Sequence, residues 1–325
     1  LGAGRWATAV LLAAVLLPSS AAFAWGARTH EIINRRAVED LPGPAGAAWA
    51  PLARQLGAHA SDADHRKGSD PNERPRHFID IDAFAQHPFT DVPRTMPGMV
   101  RKYGAEEAVK WGVAPWAIGE CYRMTVLSLQ RGDWASAGAW AADLGHYVAD
   151  THQPLHCTMN YDGQKSGHDG VHLRFEVAMM DRHYEESSIT PPPADFRSAH
   201  GDPVEFCFDW IAEAYPGLDA ILAGDEVART VDPQYGPPYL AALWEETHEV
   251  ARSQVDLAVR DLGALYRAAW EEAGSPAPPE VIPPFRALPV DVLDPPEAPR
   301  GGRSAWGAVL VAGGVIVAAV FLGAR

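Results

Sequence analysis

Apolar side chains recur at three- and four-residue intervals along most of this chain, and no stretch shows the every-second-residue alternation of a half-buried strand. That pattern predicts an almost all-α body. The first helix follows Trp25 and carries Ile32, Ile33, Ala37 and Val38 on one side. Further helices are expected over 46–56, 99–111, 116–130, 134–149, 171–184, 204–222 and 239–272, the last with Leu240, Leu243, Trp244, Leu262, Leu265, Tyr266 and Trp270 as its apolar stripe. Between them, 59–82 reads as an acidic loop, 88–97 as a Pro-punctuated connection, and 225–238 as irregular. Trp111 and Trp116 are expected to anchor the core.

The two ends break the pattern. Residues 1–24 have the features of a secretory signal: Arg5 near the start, an apolar run from Ala7 to Leu17, and an A-x-A site at Ala22, Phe23 and Ala24. Cleavage there leaves Trp25 first. Beyond the single expected domain, 25–273, repeated prolines mark 274–304 as a linker. An uncharged apolar run of roughly 17 residues from Trp306 to Leu322 then predicts a membrane tail over 305–325, at the short end of what spans a bilayer. The expectation is an exported protein held at a membrane.

Composition narrows the function. A formal charge of -15 argues against a broad basic nucleic-acid surface, while leaving phosphate binding at a local metal cluster open. The three cysteines, Cys121, Cys157 and Cys207, allow at most one internal disulfide and read as core residues.

The densest chemistry lies between Leu144 and Glu176. His146 and Asp150, four apart on a helix, project from one face. Pro154 ends that helix and sets His156 on a turn just beyond it. His172 and Glu176 repeat the four-residue interval on a second helix. One such pair is ordinary on a helix surface, but two pairs with a loop histidine form a zinc-type donor set of imidazole and carboxylate. Upstream, His30 follows Trp25, whose free amine and carbonyl would chelate a metal after signal cleavage. The acidic loop adds Asp62, Asp64, His65 and His77, of which His77 precedes apolar Phe78 and Ile79 and is expected to point inward. Asp80 and Asp82 are candidate caps or partners of the ligands, and His183, His200 and His248 are read as ordinary surface or core histidines.

Taken together, these residues resemble the zinc-dependent phospholipase C and S1/P1 nuclease superfamily over about residues 25 to 272. The resemblance implies an all-α fold of that type with three zinc ions in a cleft. It implies that the loop Asp, His77, His146 and Asp150 hold one zinc, His156, His172 and Glu176 a second, and Trp25, His30 and Asp150 a third. Matching A-S-D-A-D to the family's Trp-Ala-Asp pattern selects Asp64, with Asp62 as the alternative. Asp64 is also the candidate for orienting or deprotonating the attacking water. Glu176 as the last ligand, and the absence of Gly-Gly-Asn before His172, look like the phospholipase side, whereas the short W-x4-H spacing looks like the nuclease side.

Three zinc ions against three carboxylates leave a net positive charge in the cleft, favourable for a phosphodiester. The leading expectation is therefore phospholipid hydrolysis by a zinc phosphodiesterase, with a nucleic acid only as an alternative substrate. A single-strand nuclease or 3'-nucleotidase would need a base-stacking aromatic, for which Tyr161 and Phe175 are candidates. A non-catalytic zinc-stabilised surface protein is the third alternative. No protein partner is inferable.

Overall fold

The computed structural model of the protein describes residues 25–190, 202–285, 288, 311–312 and 315–316. The expected signal peptide, His200 and most of the expected tail lie outside the described residues.

The body is helical throughout. In chain order come α1 (Ala27–Glu39), α2 (Gly43–Trp49), α3 (Ala53–Ala58), α4 (Asp62–Arg66), α5 (Met96–Tyr103), α6 (Ala105–Lys110), α7 (Ala114–Gln130) and α8 (Trp134–His152). A 3-10 turn, Pro154–Cys157, follows α8. Next are α9 (Val171–Leu173), a π-helical turn Arg174–Met179, α10 (Met180–His183), α11 (Pro203–Ala214), α12 (Gly217–Val231) and the long α13 (Pro237–Glu272).

The centre of the body is α8. It is buried without a break from Ala137 to His152, so it has no solvent face. Its many alanines and glycines permit this, because neighbouring helices α7, α13, α1 and α11 approach it closely. The Asp133 carboxylate caps its start by accepting from Ser136 N at 3.0 Å. Gly145 marks the tightest approach: a Cβ there would stand 2.1 Å from Asn34 Oδ1 on α1. A side chain of any size at 145 would separate α1 from α8. At one end of α8, Trp49 stacks on Tyr266 at 5.1 Å and meets Trp134 edge-on at 5.7 Å. Side chains of this size, buried in full, contribute about 1.5–3 kcal/mol each.

Several expected helices are divided, each for a local reason. Gly104, at φ +88, separates α5 from α6 where a single helix over 99–111 is expected. The expected helix over 204–222 breaks at Pro216, which precedes α12. Because α12 runs on to Val231, 225–231 is helical rather than irregular. Its buried stripe of Leu218, Ile221, Gly224, Asp225 and Ala228 is hard to see in the sequence because one member is a carboxylate. The 171–184 helix contains a π turn. The acidic loop contains α4 and a 3-10 turn at Arg74–His77. Trp111 and Trp116 are half-buried, not deep anchors, and their indoles donate to Glu107 and to Arg94 O.

The packed body also reaches past the expected boundary at 273. Phe285 is buried against the His59 ring at 4.5 Å, and its N–H donates to Gln55 Oε1 at 3.1 Å. All three cysteines are buried and free. In the second unit, 289–325, the described residues form two short antiparallel strands, Val311–Ala312 and Val315–Ile316. Among the described residues no helix is long and apolar enough to cross a membrane.

Candidate metal centre

Three buried groups of histidine and carboxylate meet where α8 passes α1, α4, the Arg74–His77 turn and the α9 turn: His30 with Asp64 and His146, His77 with His146 and Asp150, and His156 with His172 and Glu176. The first two share His146. Each contributing residue is at most 8% exposed, so these are interior polar groups that need partners.

The spacings among His77, His146 and Asp150, and from the two histidines to Asp64, are close to those of ligands about one ion. Zinc held by N and O ligands at about 2.0–2.1 Å places those ligands about 3.3 Å apart. His77 Nδ1 lies 2.9 Å from Asp150 Oδ2, 3.0 Å from His146 Nε2 and 3.6 Å from Asp64 Oδ1. His146 Nε2 lies 3.4 Å from Asp150 Oδ2 and 3.5 Å from Asp64 Oδ1. These edges scatter about the tetrahedral value. It is Asp64, not Asp62, that stands here; Asp62 turns away to pair with His59 Nδ1 at 2.6 Å.

The second cluster is a triangle. His156 Nε2 and His172 Nε2 are 3.0 Å apart, and Glu176 Oε2 lies 3.4 Å from the first and 2.9 Å from the second. The Gln153 amide donates to Glu176 Oε2 at 3.0 Å.

The outward-facing nitrogens fix what the inward ones can do. His146 Nδ1 lies 2.7 Å from the carbonyl of Ala60, and His156 Nδ1 lies 2.7 Å from that of His77. A carbonyl only accepts, so each Nδ1 carries a proton, and in the neutral ring each Nε2 presents a lone pair inward. His77 Nε2 likewise meets the Glu73 carboxylate at 3.2 Å, which leaves its Nδ1 as the inward lone pair. Thus two acceptors face each other at 3.0 Å between His77 and His146. Only a cation between such atoms, a metal ion or added protons, removes the repulsion. An outer acceptor that orients a ligating imidazole is the usual support of a metal site.

Around His30 the pattern continues. Its ring stacks on His146 at 4.0 Å and its Nε2 lies 3.3 Å from Asp150 Oδ1, yet neither ring nitrogen makes an aligned hydrogen bond. Asp150 Oδ1 and Glu176 Oε1 are also buried without a hydrogen-bond partner. The residues present therefore fit a polynuclear metal centre. Trp25 is fully buried, with its indole donating to Ala149 O at 2.9 Å, while the next residue, Gly26, donates to Glu176 O at 3.3 Å. These two bonds hold residue 25 beside both ligand-bearing segments.

Electrostatics agree with the geometry. Burial works against a charged His146, but the Asp150 and Asp64 carboxylates outweigh it and push the imidazole up to about 10. Burial, and next His146, push His30 down. Asp64 is held well below the usual carboxylate range: burial opposes this, and His146, Lys67 and His77 outweigh it. In the absence of metal such a cluster takes up protons, which a metal ion displaces.

Sequence reasoning missed two neighbours, Lys67 and Glu73, while Asp80 was among its candidate partners. Lys67, one turn after Asp64, places Nζ 2.6 Å from Asp64 Oδ1; at this ion-pair distance the contact lacks hydrogen-bond alignment. Glu73 supports His77 and also accepts from Arg66 Nε at 2.9 Å and from the Tyr147 hydroxyl. Asp80 is 5% exposed with Oδ1 unpartnered, and burial, then the nearby Asp82, raise it to about 7. Asp82 itself accepts from Thr158, Met159 N and Tyr215. An i,i+3 spacing could have pointed to Lys67; nothing in the sequence singles out Glu73. Phe175, a base-stacking candidate, is fully buried beside Trp25 at 5.8 Å and is unavailable to a ligand. Tyr161 is 49% exposed, 6.4 Å from the His172 ring.

Fold and site together define an all-α protein with three buried His/carboxylate groups able to hold metal ions. No family model and no curated protein matches the chain. Solved structures do: an alpha toxin from Clostridium absonum aligns with 77% of this chain and 65% of its own, at 13% identity and TM-score 0.49. An alpha-toxin of Clostridium perfringens, from avian strain SWCP, aligns with 78% of this chain and 66% of its own, at 16% identity and TM-score 0.47. The chain thus spans about two thirds of the length of either toxin.

Proposed function

We propose that this protein is an exported phosphodiesterase that holds three zinc ions and hydrolyses phospholipids in the manner of a phospholipase C. The observation that carries the reading is the pair of inward-facing imidazole nitrogens, 3.0 Å apart, set among buried carboxylates. In this reading Asp64, His77, His146 and Asp150 hold one ion, and His156, His172 and Glu176 a second. His30, Asp150 and the main chain of Trp25 hold the third. When bound, zinc supplies Lewis acidity and activates water at neutral pH.

The chain's own groups do the rest. Asp64, kept ionised, is an acceptor able to orient the attacking water. Lys67 brings a positive charge to the same carboxylate, where it would counter the charge of a bound phosphate. Water adds to phosphorus, the bond to the glycerol oxygen breaks, and that oxygen leaves with a proton as diacylglycerol.

The choice of a lipid is supported by a groove of about 510 Å³ lined by Tyr161, His172, Leu173 and Tyr235, with Asp162, Gly170 and Arg174 completing its wall. Tyr161, Leu173 and Tyr235 are 49, 43 and 42% exposed, an unusual concentration of open apolar surface beside a polar centre. The exported location and the membrane tail belong to the same proposal. A nuclease is the second reading, favoured by Tyr161, whose exposed ring beside His172 suits base stacking. Incubating the zinc-loaded protein with phosphatidylcholine vesicles and, separately, with single-stranded DNA tests the choice. Release of diacylglycerol is expected; cleavage of DNA alone selects the nuclease, and turnover of neither removes the enzymatic reading.

A further inference from the structure

Outside the metal-facing residues, the most heavily used buried group is Asp225 on α12. It is fully buried. Its Oδ1 accepts from Arg174 Nη2 at 2.9 Å and from the Tyr239 hydroxyl; its Oδ2 lies 2.8 Å from His168 Nδ1 and 3.1 Å from Arg229 Nε. A carboxylate offers about four acceptor sites; three are taken by hydrogen bonds, and the Arg229 Nε contact is an ion pair without hydrogen-bond alignment. Its partners come from the loop before α9, the π turn, α12 and α13.

Arg174 is the member that lies on the segment carrying His172 and Glu176. It sits two residues from both His172 and Glu176, so it leaves the turn on the side opposite to theirs. Its Nε donates to the Tyr239 hydroxyl at 2.9 Å, its Nη1 to Asp169 O at 2.8 Å and its Nη2 to His168 O at 3.3 Å as well as to Asp225. A guanidinium tied in so many directions fixes the rotation of its turn about the helix axis. This matters because a ligand atom about 6 Å from that axis moves about 1 Å for a 10° rotation, several times the ~0.2 Å that a metal site tolerates.

A separate feature protects the same guanidinium. Gly170 starts the turn at φ +81, and a Cβ there would stand 2.6 Å from Arg174 Nη1. Only glycine both adopts that backbone and leaves the space.

We propose that Asp225 is a positioning residue for the second metal ion, acting through Arg174 and His168 on the turn that carries His172 and Glu176. The proposal rests on the metal reading given above. It is tested on the full chain, stripped with a chelator and titrated with zinc ions, in the wild type, Asp225→Asn, His172→Ala and the double variant. Asp225→Asn should weaken one binding step by about 10- to 100-fold. That step should be the one His172→Ala abolishes, so that the double variant binds as His172→Ala does alone. Asp261→Asn is the control: Asp261 is another fully buried carboxylate, 3.3 Å from His152, and its loss should lower stability without moving that step. Should Asp225→Asn fold poorly, Gly170→Ala displaces Arg174 while leaving Asp225 intact and should weaken the same step. Titration of either variant like the wild type, or equal weakening of every step, overturns the positioning role alone. A wild type that binds no zinc overturns the metal reading and this proposal together.

Discussion

Replacing Gly145 by alanine separates two effects that act in opposite directions. In an ordinary helix interior, Gly→Ala stabilises by about 1 kcal/mol, through a smaller loss of backbone freedom. At 145 the new methyl would lie 2.1 Å from Asn34 Oδ1, 2.6 Å from its Cγ and 2.8 Å from its Nδ2. Ordinary contact begins near 3.4 Å, so α1 and α8 must part locally by about 1.3 Å. Asn34 has little freedom to absorb the shift, since its amide donates to His30 O at 3.2 Å and its oxygen receives the Tyr266 hydroxyl at 3.3 Å. Overpacking of a tight core costs about 1–3 kcal/mol, which exceeds the propensity gain. A net loss near 1 kcal/mol lowers Tm by about 3 °C for a domain of this size. The same displacement acts on the site, because His30 is on the helix that moves and Asp150 on the one that stays, now 3.3 Å apart. Thermal unfolding of the metal-free variant and its titration with zinc are the two assays. A lower Tm together with weakening of the step that depends on His30 is expected; a raised Tm with unchanged zinc binding refutes the close-approach argument.

Lys67→Met should leave zinc content intact and reduce turnover of a phosphodiester by about a hundredfold, the scale of losing one charge-stabilising contact; unchanged kcat removes Lys67 from the reaction. Tyr161→Ser with Tyr235→Ser should lower turnover on phosphatidylcholine vesicles by more than tenfold relative to a small soluble phosphodiester, since each exposed ring carries burial worth about 1.5–3 kcal/mol; equal effects on both substrates contradict the groove's role. Asp80 gives a pH test in metal-free protein. Its folded-state value, raised from 3.8 to about 7 by burial and Asp82, means that stability is full below the unfolded value and falls as pH rises towards 7. On the order of 4 kcal/mol is involved, so Asp80→Asn should flatten the stability profile between pH 4 and 7, and an unaltered slope would assign that profile to other groups.

Much of the candidate metal centre was legible because its residues obey local rules. The four-residue spacing of His146 and Asp150 fixes their common face on α8, and Pro154 fixes where that helix must stop. The loop carboxylate was less legible. Asp62 and Asp64 differ only in which side of a five-residue helix they occupy, and only the family resemblance, not any local pattern, favours Asp64 as the one facing His146 rather than His59. The π turn at 174–179 is set by the packing of Arg174 on α12 and α13, contacts between residues more than 50 positions apart. Asp225 was read as part of an irregular polar stretch because burial of a carboxylate against two arginines leaves a helix with no clean apolar stripe. Glu73 was overlooked for a related reason: its role exists only through His77 and Tyr147, which the fold brings to it.

The central claim is that the buried imidazole and carboxylate groups hold metal ions, and elemental analysis of the purified protein tests it most directly. Near three zinc ions per chain, falling to two in His172→Ala, is the predicted result; less than one per chain in protein purified without chelator, unchanged by that substitution, would contradict it.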